Sequence, residues 1–540
     1  MLLFSLALAT LQDAHATAPA ITAQDLSRRI RTLSSDAFEG RGPSSKGEEL
    51  TLAYLVREME RAGLEPGYHG EWFQPVSLVG TTPTDKPVAS VTRDGTEREL
   101  VFGRDLMFVS PVLDGKVSVT DSEIVFVGYG VVAPEFGWND YAGIDVKGKT
   151  VLCLVNDPGY ATKDPDLFRG HAMTYYGRYT YKYEEAARQG AAACFVIHEE
   201  GAAGYPWQVV VRSWGGTQFG LPPVEGVPEL DVEGWMTEAA AAQLIGEAGG
   251  DGAAWFAAAE KEGFEPRPLG ATASFSLENG SERSESNNVV GMIVGSERPR
   301  EAVLFGAHWD HLGRRPGVGD DEIYNGALDN ASGTSGMLEL AEAFGALDPS
   351  PKRTLLFVAF AAEESGLLGS KRYAEAPAMP LADTVAGLNM DGMNLNGPTE
   401  DIVVVGFGAS ELDGLLADAV EPQGRRLSPE PTPEKGYYYR SDHFSLAKHG
   451  VPMLYTDAGI VHREHGEAFM TAAREDYLKK RYHQPSDEFD PDWDLRGAIE
   501  DLEAFYALAL GLANSDAWPT WVEGNEFEAV REASLRMRER

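Results

Sequence analysis

From residue 288 onward, short apolar runs alternate with stretches whose apolar residues recur at helical spacing. NVVGMIVG (288–295), AVLFGAH (302–308), TLLFVAFAAE (354–363), VAGLNMD (385–391), DIVVVGF (401–407) and PMLYTD (452–457) read as buried strands. Helices are expected near 333–346, 365–375, 410–421 and 495–513. Continuous apolar strands that alternate with helices predict a mostly parallel sheet covered on both faces, an α/β layered domain.

Upstream, the pattern predicts a helix over Ala23–Leu33, a polar, Gly-rich loop (SSDAFEGRGPSSKGEE), and a second helix over 50–62 that stops at Gly63. Residues 72–110 alternate in short strand-like pieces. From 115 to 270 the runs EIVFVGYGVV, KTVLCLV and AAACFVI read as strands of a β-rich segment. A helix is expected near 183–189, and one or two over 238–260. The polar stretch ENGSERSESNN (278–288) reads as a linker or edge loop.

Composition narrows the function classes. The chain has 540 residues, 43% of them hydrophobic, with 46 Lys+Arg against 84 Asp+Glu for a net charge of −38. That apolar content builds packed cores, and the acidic balance argues against a nucleic-acid partner. Two cysteines, Cys153 and Cys194, are too few for a disulfide framework or a thiolate zinc site; both lie in apolar runs, as free core thiols or as one disulfide. Residues 2–11, LLFSLALATL, followed by Ala14-His15-Ala16 or Ala16-Thr17-Ala18, have the form of a signal peptide over 1–18, so the protein is expected in the periplasm or secreted. No later segment reaches the about 20 apolar residues of a membrane span.

Charged residues follow the apolar strands directly. His308 and Asp310 end one strand, Glu363 and Glu364 another, and Asp391 a third; Asp329 precedes a helix, and His483 lies in RYHQPSDE. Burying so many carboxylates and imidazoles together is costly unless cations compensate them. Arg440-Ser441-Asp442-His443 invites comparison with a serine triad, but adjacent residues do not converge on one point and no G-x-S-x-G elbow is present.

Taken together, AHWDHLG, IYNGALDNASG, FVAFAAEESGLLGS, NMDG, YYYRSDHFSLAKHGVP and YHQPSDE resemble the bacterial two-zinc aminopeptidases, in the clan of glutamate carboxypeptidase II and the transferrin receptor. LSSDAFEGRGPSSKGEE is similar to the start of that family's catalytic domain, and 115–270 to its protease-associated insert. Leu328 stands where the family often has a second Asp. The resemblance implies a three-layer α/β/α zinc-peptidase domain over 19–114 and 271–515, a protease-associated domain over 115–270, and a charged tail over 516–540.

The resemblance also implies a site. His308 and Asp391 would hold one zinc, Glu364 and His483 the other, and Asp329 would bridge them, with a cis peptide before Asn330. Asp310 would orient His308, and Asp487 would play a similar part. Glu363 would be the general base, and Tyr482 would stabilise the oxyanion. Arg440 and Asp442 would border the substrate pocket. His311, His449, His462 and His465 receive no role. The implied activity is removal of N-terminal residues from unblocked peptides. The alternatives are a carboxypeptidase or dipeptidase on the same scaffold, and a non-catalytic, transferrin-receptor-like binding protein. The oligomeric state stays open.

Overall fold

A computed structural model describes residue 18, residues 20–317, residue 319 and residues 321–538; the rest of the expected leader lies outside these residues. The chain divides into two compact units. One comprises the chain up to Ser77, Glu285–Pro431 and everything from Arg440 on; the other comprises Leu78–Ser284 and Thr432–Tyr439.

The first unit is mixed α/β with a mostly parallel sheet. Arg298–His308 lies between Arg353–Phe360 and Thr384–Asn389, parallel to both, and Met453–Asp457 continues the parallel run beside Thr384–Asn389. The segment around Val289–Ile293 pairs antiparallel with Arg353–Phe360. All residues of Arg353–Phe360 and Thr384–Asn389 are buried, as a sheet covered on both faces requires. Helices Gly333–Gly345 and Arg496–Asn514 pack on the strands Arg298–His308 and Arg353–Phe360, while His443–Ala447 packs on Thr384–Asn389 and Met453–Asp457. The expected strands and helices of this region are present within a few residues of their predicted ends. Arg298–His308, Arg353–Phe360 and Thr384–Asn389 stop where an apolar run gives way to His308, Glu363 or Asp391, so these charged residues gather at one end of the sheet.

One expectation changes. The polar stretch 278–288 is not a loop but part of the strand Arg267–Ile293, 27 residues long. Its residues pair across to another strand, Glu278 with Lys116 and Asn279 with Gly115, and this backbone pairing outweighs the turn-like composition. The charged C-terminal region ends in the helix Glu528–Arg538. Its buried Arg531 donates to the main-chain oxygens of Thr384 and Val385, at 3.0 and 2.9 Å.

The second unit is wider than 115–270. Val88–Arg93 and Thr96–Leu100 form a hairpin whose first strand pairs with Thr272–Ser276, drawing residues from 78 onward into this unit. Its centre is a parallel set, Gly115–Phe126, Thr150–Leu154, Ala193–His198 and Val232–Thr237. Cys153 and Cys194 lie on adjacent strands of this set as free, buried thiols with sulfurs 3.9 Å apart. No helix among the described residues is long and apolar enough to cross a membrane.

Candidate metal centre

Five separate segments bring the acidic and imidazole side chains together. Asp329 occupies the centre. Its Oδ1 lies 3.4 Å from His308 Nε2, and its Oδ2 lies 3.4 Å from His483 Nε2. His308 Nε2 is also 3.2 Å from Asp391 Oδ1, and His483 Nε2 is 3.1 Å from Glu364 Oε2. Two His–carboxylate pairs therefore flank one shared carboxylate.

These separations bear on metal fit. Ligand atoms bound to zinc at about 2.0–2.1 Å in a tetrahedron stand about 3.3 Å apart. The four contacts at 3.1–3.4 Å match that edge, and nitrogen with carboxylate oxygen is a donor set zinc accepts. His308 Nδ1 lies 3.1 Å from the main-chain oxygen of Asp310, which fixes Nδ1–H as the donor and aims Nε2 at the carboxylates.

The supporting residues act somewhat differently from expectation. The carboxylate of Asp310 stands 3.9 Å from His308 Nδ1, and the backbone of Asp310 orients the ring instead. The carboxylate accepts from the main-chain N–H of Glu363 at 3.0 Å, tying the two strand ends together. Asp487 accepts from the main-chain N–H groups of Leu328 and Asp329, both at 3.2 Å. It holds the bridging loop rather than His483. Asn330, after a cis peptide, donates to the oxygen of Met390 at 2.9 Å and accepts from Gly392 N–H at 2.9 Å, which locks Asp329 to the Asp391 loop.

Glu363 groups with His308 and Asp391. Ala362 holds a left-handed φ of 52° and His483 one of 56°, uncommon for residues with a side chain and typical of constrained sites. Tyr482 stacks on His483, ring centroids 3.9 Å apart, and remains 43% exposed. Asp442 is fully buried and Arg440 half-buried. His311, given no role from sequence, is buried with Nδ1 2.5 Å from Glu364 Oε1. The signal available was position alone: it follows the same strand as His308 and Asp310.

The groups of the cluster shift one another's pKa values. Burial opposes charge on His483, but Glu364 and Asp329 overcome it and raise its pKa to about 10. Burial likewise opposes charge on His308, and Glu363 and Asp391 hold it well above the usual imidazole range. Burial and the nearby Asp329 charge resist ionisation of Glu364, yet His311 and His483 bring it down to about 2. Asp329 is held well below the carboxylate range by its two histidines against the cost of burial. Burial pushes Glu363 well above that range, with Asp391 and Glu364 adding to the shift. Burial also raises Asp310 to about 8 and Asp442 to about 7.

Residues 288–507, which carry all of these side chains, match peptidase family M28. This segment is therefore similar to peptidase family M28. Aminopeptidase NAALADL1 of Mus musculus is 34% identical over 137 residues, covering 24% of this chain and 17% of that protein. A probable glutamate carboxypeptidase of Arthroderma benhamiae is 40% identical over 119 residues, covering 21% of this chain and 15% of that protein. The chain spans about a sixth of the length of these curated relatives. An aminopeptidase from Aneurinibacillus sp. strain AM-1 has a solved structure that is 19% identical, covers 94% of this chain and 97% of that one, and gives a TM-score of 0.49. The M28 segment starts at 288, so the region before Ser77 that packs beside it lies outside the matched residues.

Proposed function

We propose that this protein is a two-zinc aminopeptidase that hydrolyses the N-terminal peptide bond of unblocked peptides. The observation that carries the reading is Asp329, whose two oxygens each face a different histidine that already has its own carboxylate. His308 and Asp391 would hold one zinc, His483 and Glu364 the other, with Asp329 shared. Zinc bound there polarises the scissile carbonyl and lowers the pKa of the attacking water to about 7.

The chain's own groups supply the rest. Glu363 takes the proton from the attacking water and delivers it to the leaving amine; its raised pKa suits a carboxyl that must hold a proton mid-reaction. The carboxyl oxygens of Glu363 and Asp391 also offer hydrogen-bond acceptors to a free ammonium, which a blocked N-terminus lacks. Tyr482 stacks on His483 and offers its hydroxyl for the oxyanion; burial and the carboxylates Asp329 and Glu364 keep that hydroxyl protonated. The helices packed on the mostly parallel sheet support a three-layer α/β/α peptidase domain. The β-rich unit Leu78–Ser284 supports an inserted protease-associated domain, and the leader pattern of residues 2–18 supports export.

The test is cleavage of one unblocked peptide and its N-acetylated twin by zinc-loaded protein, with a chelator control. Chelator-sensitive release of the first residue from the free peptide alone is expected. Release from the C-terminus would move the assignment to a carboxypeptidase, and no cleavage by protein holding two zinc ions would favour a binding role.

A further inference from the structure

Arg41 lies far outside the matched segment, in the loop between the first two helices, and is 1% exposed. Among the described residues its guanidinium has no carboxylate in hydrogen-bond contact. All of its bonds go to main-chain oxygens: Nε donates to Trp309 at 2.9 Å, Nη1 to Leu33 at 2.9 Å and Asn325 at 2.6 Å, and Nη2 to Gly326 at 2.8 Å. Trp309 follows His308, and Asn325 and Gly326 precede Asp329. One rigid fork thus grips both ligand-bearing loops from beneath.

The backbone around Arg41 reinforces the grip. Its own carbonyl accepts from His311 N–H at 3.3 Å, and the Gly40 carbonyl accepts from Gly313 N–H at 3.0 Å. Asn325 Nδ2 reaches back to Ser34 O at 2.8 Å and to Asp36 Oδ1 at 3.0 Å. Glu39, Gly40 and Arg41 hold φ of 47, 69 and 52°, three consecutive left-handed residues. A Cβ on Gly40 would stand 2.5 Å from Tyr324 O, so only glycine fits. Left-handed backbone at residues with side chains is strained and persists only where surrounding contacts enforce it.

We propose that Arg41 is a positioning residue that sets the spacing between the loop after His308 and the loop before Asp329, and through that spacing the zinc affinity of the site. The inference rests on the metallopeptidase reading above. A planar guanidinium satisfies carbonyls in fixed directions, which a lysine ammonium cannot reproduce even though it keeps the charge. Arg41→Lys therefore separates the fork from the charge.

The experiment is competition titration of zinc against a chromophoric chelator, using the full chain stripped of metal, at a temperature where both proteins are shown folded by circular dichroism. Arg41→Lys is expected to bind zinc about 10–100-fold more weakly than wild type, the range for residues that orient metal ligands. Affinity within about twofold of wild type in the folded variant would overturn the inference, because a purely structural role lowers the melting temperature and leaves folded-state affinity alone. Should Arg41→Lys not fold, amide hydrogen exchange of wild type decides. Zinc is expected to slow exchange at residues 38–42 together with 309–313 and 324–329, and no change at 38–42 would overturn the inference. Absence of zinc uptake by wild type would instead overturn the metallopeptidase reading, and this inference with it.

Discussion

Glu363 and Glu364 are neighbours in the chain yet serve different partners: Glu363 groups with His308 and Asp391, and Glu364 with His311, Asp329 and His483. The left-handed Ala362 just before them turns the backbone out of the strand, so consecutive carboxylates reach both ends of the cluster. On the proposed reading this divides the labour: Glu364 would hold metal and Glu363 would move protons.

Glu363→Gln should therefore retain both zinc ions and lose about 10²–10⁴-fold in peptide hydrolysis, the usual contribution of a general base. Metal analysis beside a peptide-release assay checks this. Loss of zinc in parallel with activity would make Glu363 a ligand instead.

Asp329→Ala should weaken both zinc sites, whereas His483→Ala should weaken one. The shared carboxylate predicts this asymmetry, since Oδ1 and Oδ2 serve separate histidines. Zinc equivalents retained after gel filtration distinguish the two variants. Equal losses in both would argue against a bridge.

Zinc uptake should release protons at neutral pH. In the metal-free protein His483 titrates at about 10, against 6.5 for an ordinary imidazole, so it arrives protonated and must give up that proton to bind. Zinc affinity should accordingly rise with pH up to about 10, read by calorimetry in two buffers of different ionisation enthalpy. For the metal-free fold the sign is opposite: a raised histidine stabilises fully below 6.5, and that stability is lost as pH climbs through about 10. Glu364, lowered from 4.5 to about 2, stabilises above 4.5 and loses its contribution as pH falls through about 2.

Arg531→Met should destabilise the fold while leaving zinc affinity intact. The substitution strands two buried carbonyls, those of Thr384 and Val385, at about 1–3 kcal/mol for each unsatisfied group. Urea unfolding reads the cost as a lower midpoint at unchanged slope. An unchanged midpoint would mean that the terminal helix contributes nothing to the unit's stability.

Much of the first unit was legible because its parallel strands are buried on both faces, so each reads as an unbroken apolar run closed by a charged residue. His308, Glu363 and Asp391 stand at such ends, and their residue types already suggested metal chemistry. The stretch 278–288 was misread because its Glu, Ser and Asn content favours turns, and only partners more than 150 residues away, Lys116 and Gly115, make it a strand. His311 was passed over because nothing local separates a buried histidine beside Glu364 from a surface one.

By itself the sequence determined which candidate ligand types exist and that all but His483 follow a strand or precede a helix, since hydrophobic burial and helix spacing are written locally. Tertiary structure alone decided which oxygen of Asp329 meets which histidine, that the backbone rather than the carboxylate of Asp310 orients His308, and that Arg41 reaches beneath both loops. Those facts depend on directions and distances of a few ångströms between loops from distant parts of the chain. Residue order sets no such distances until the packed sheet brings the loops to one edge.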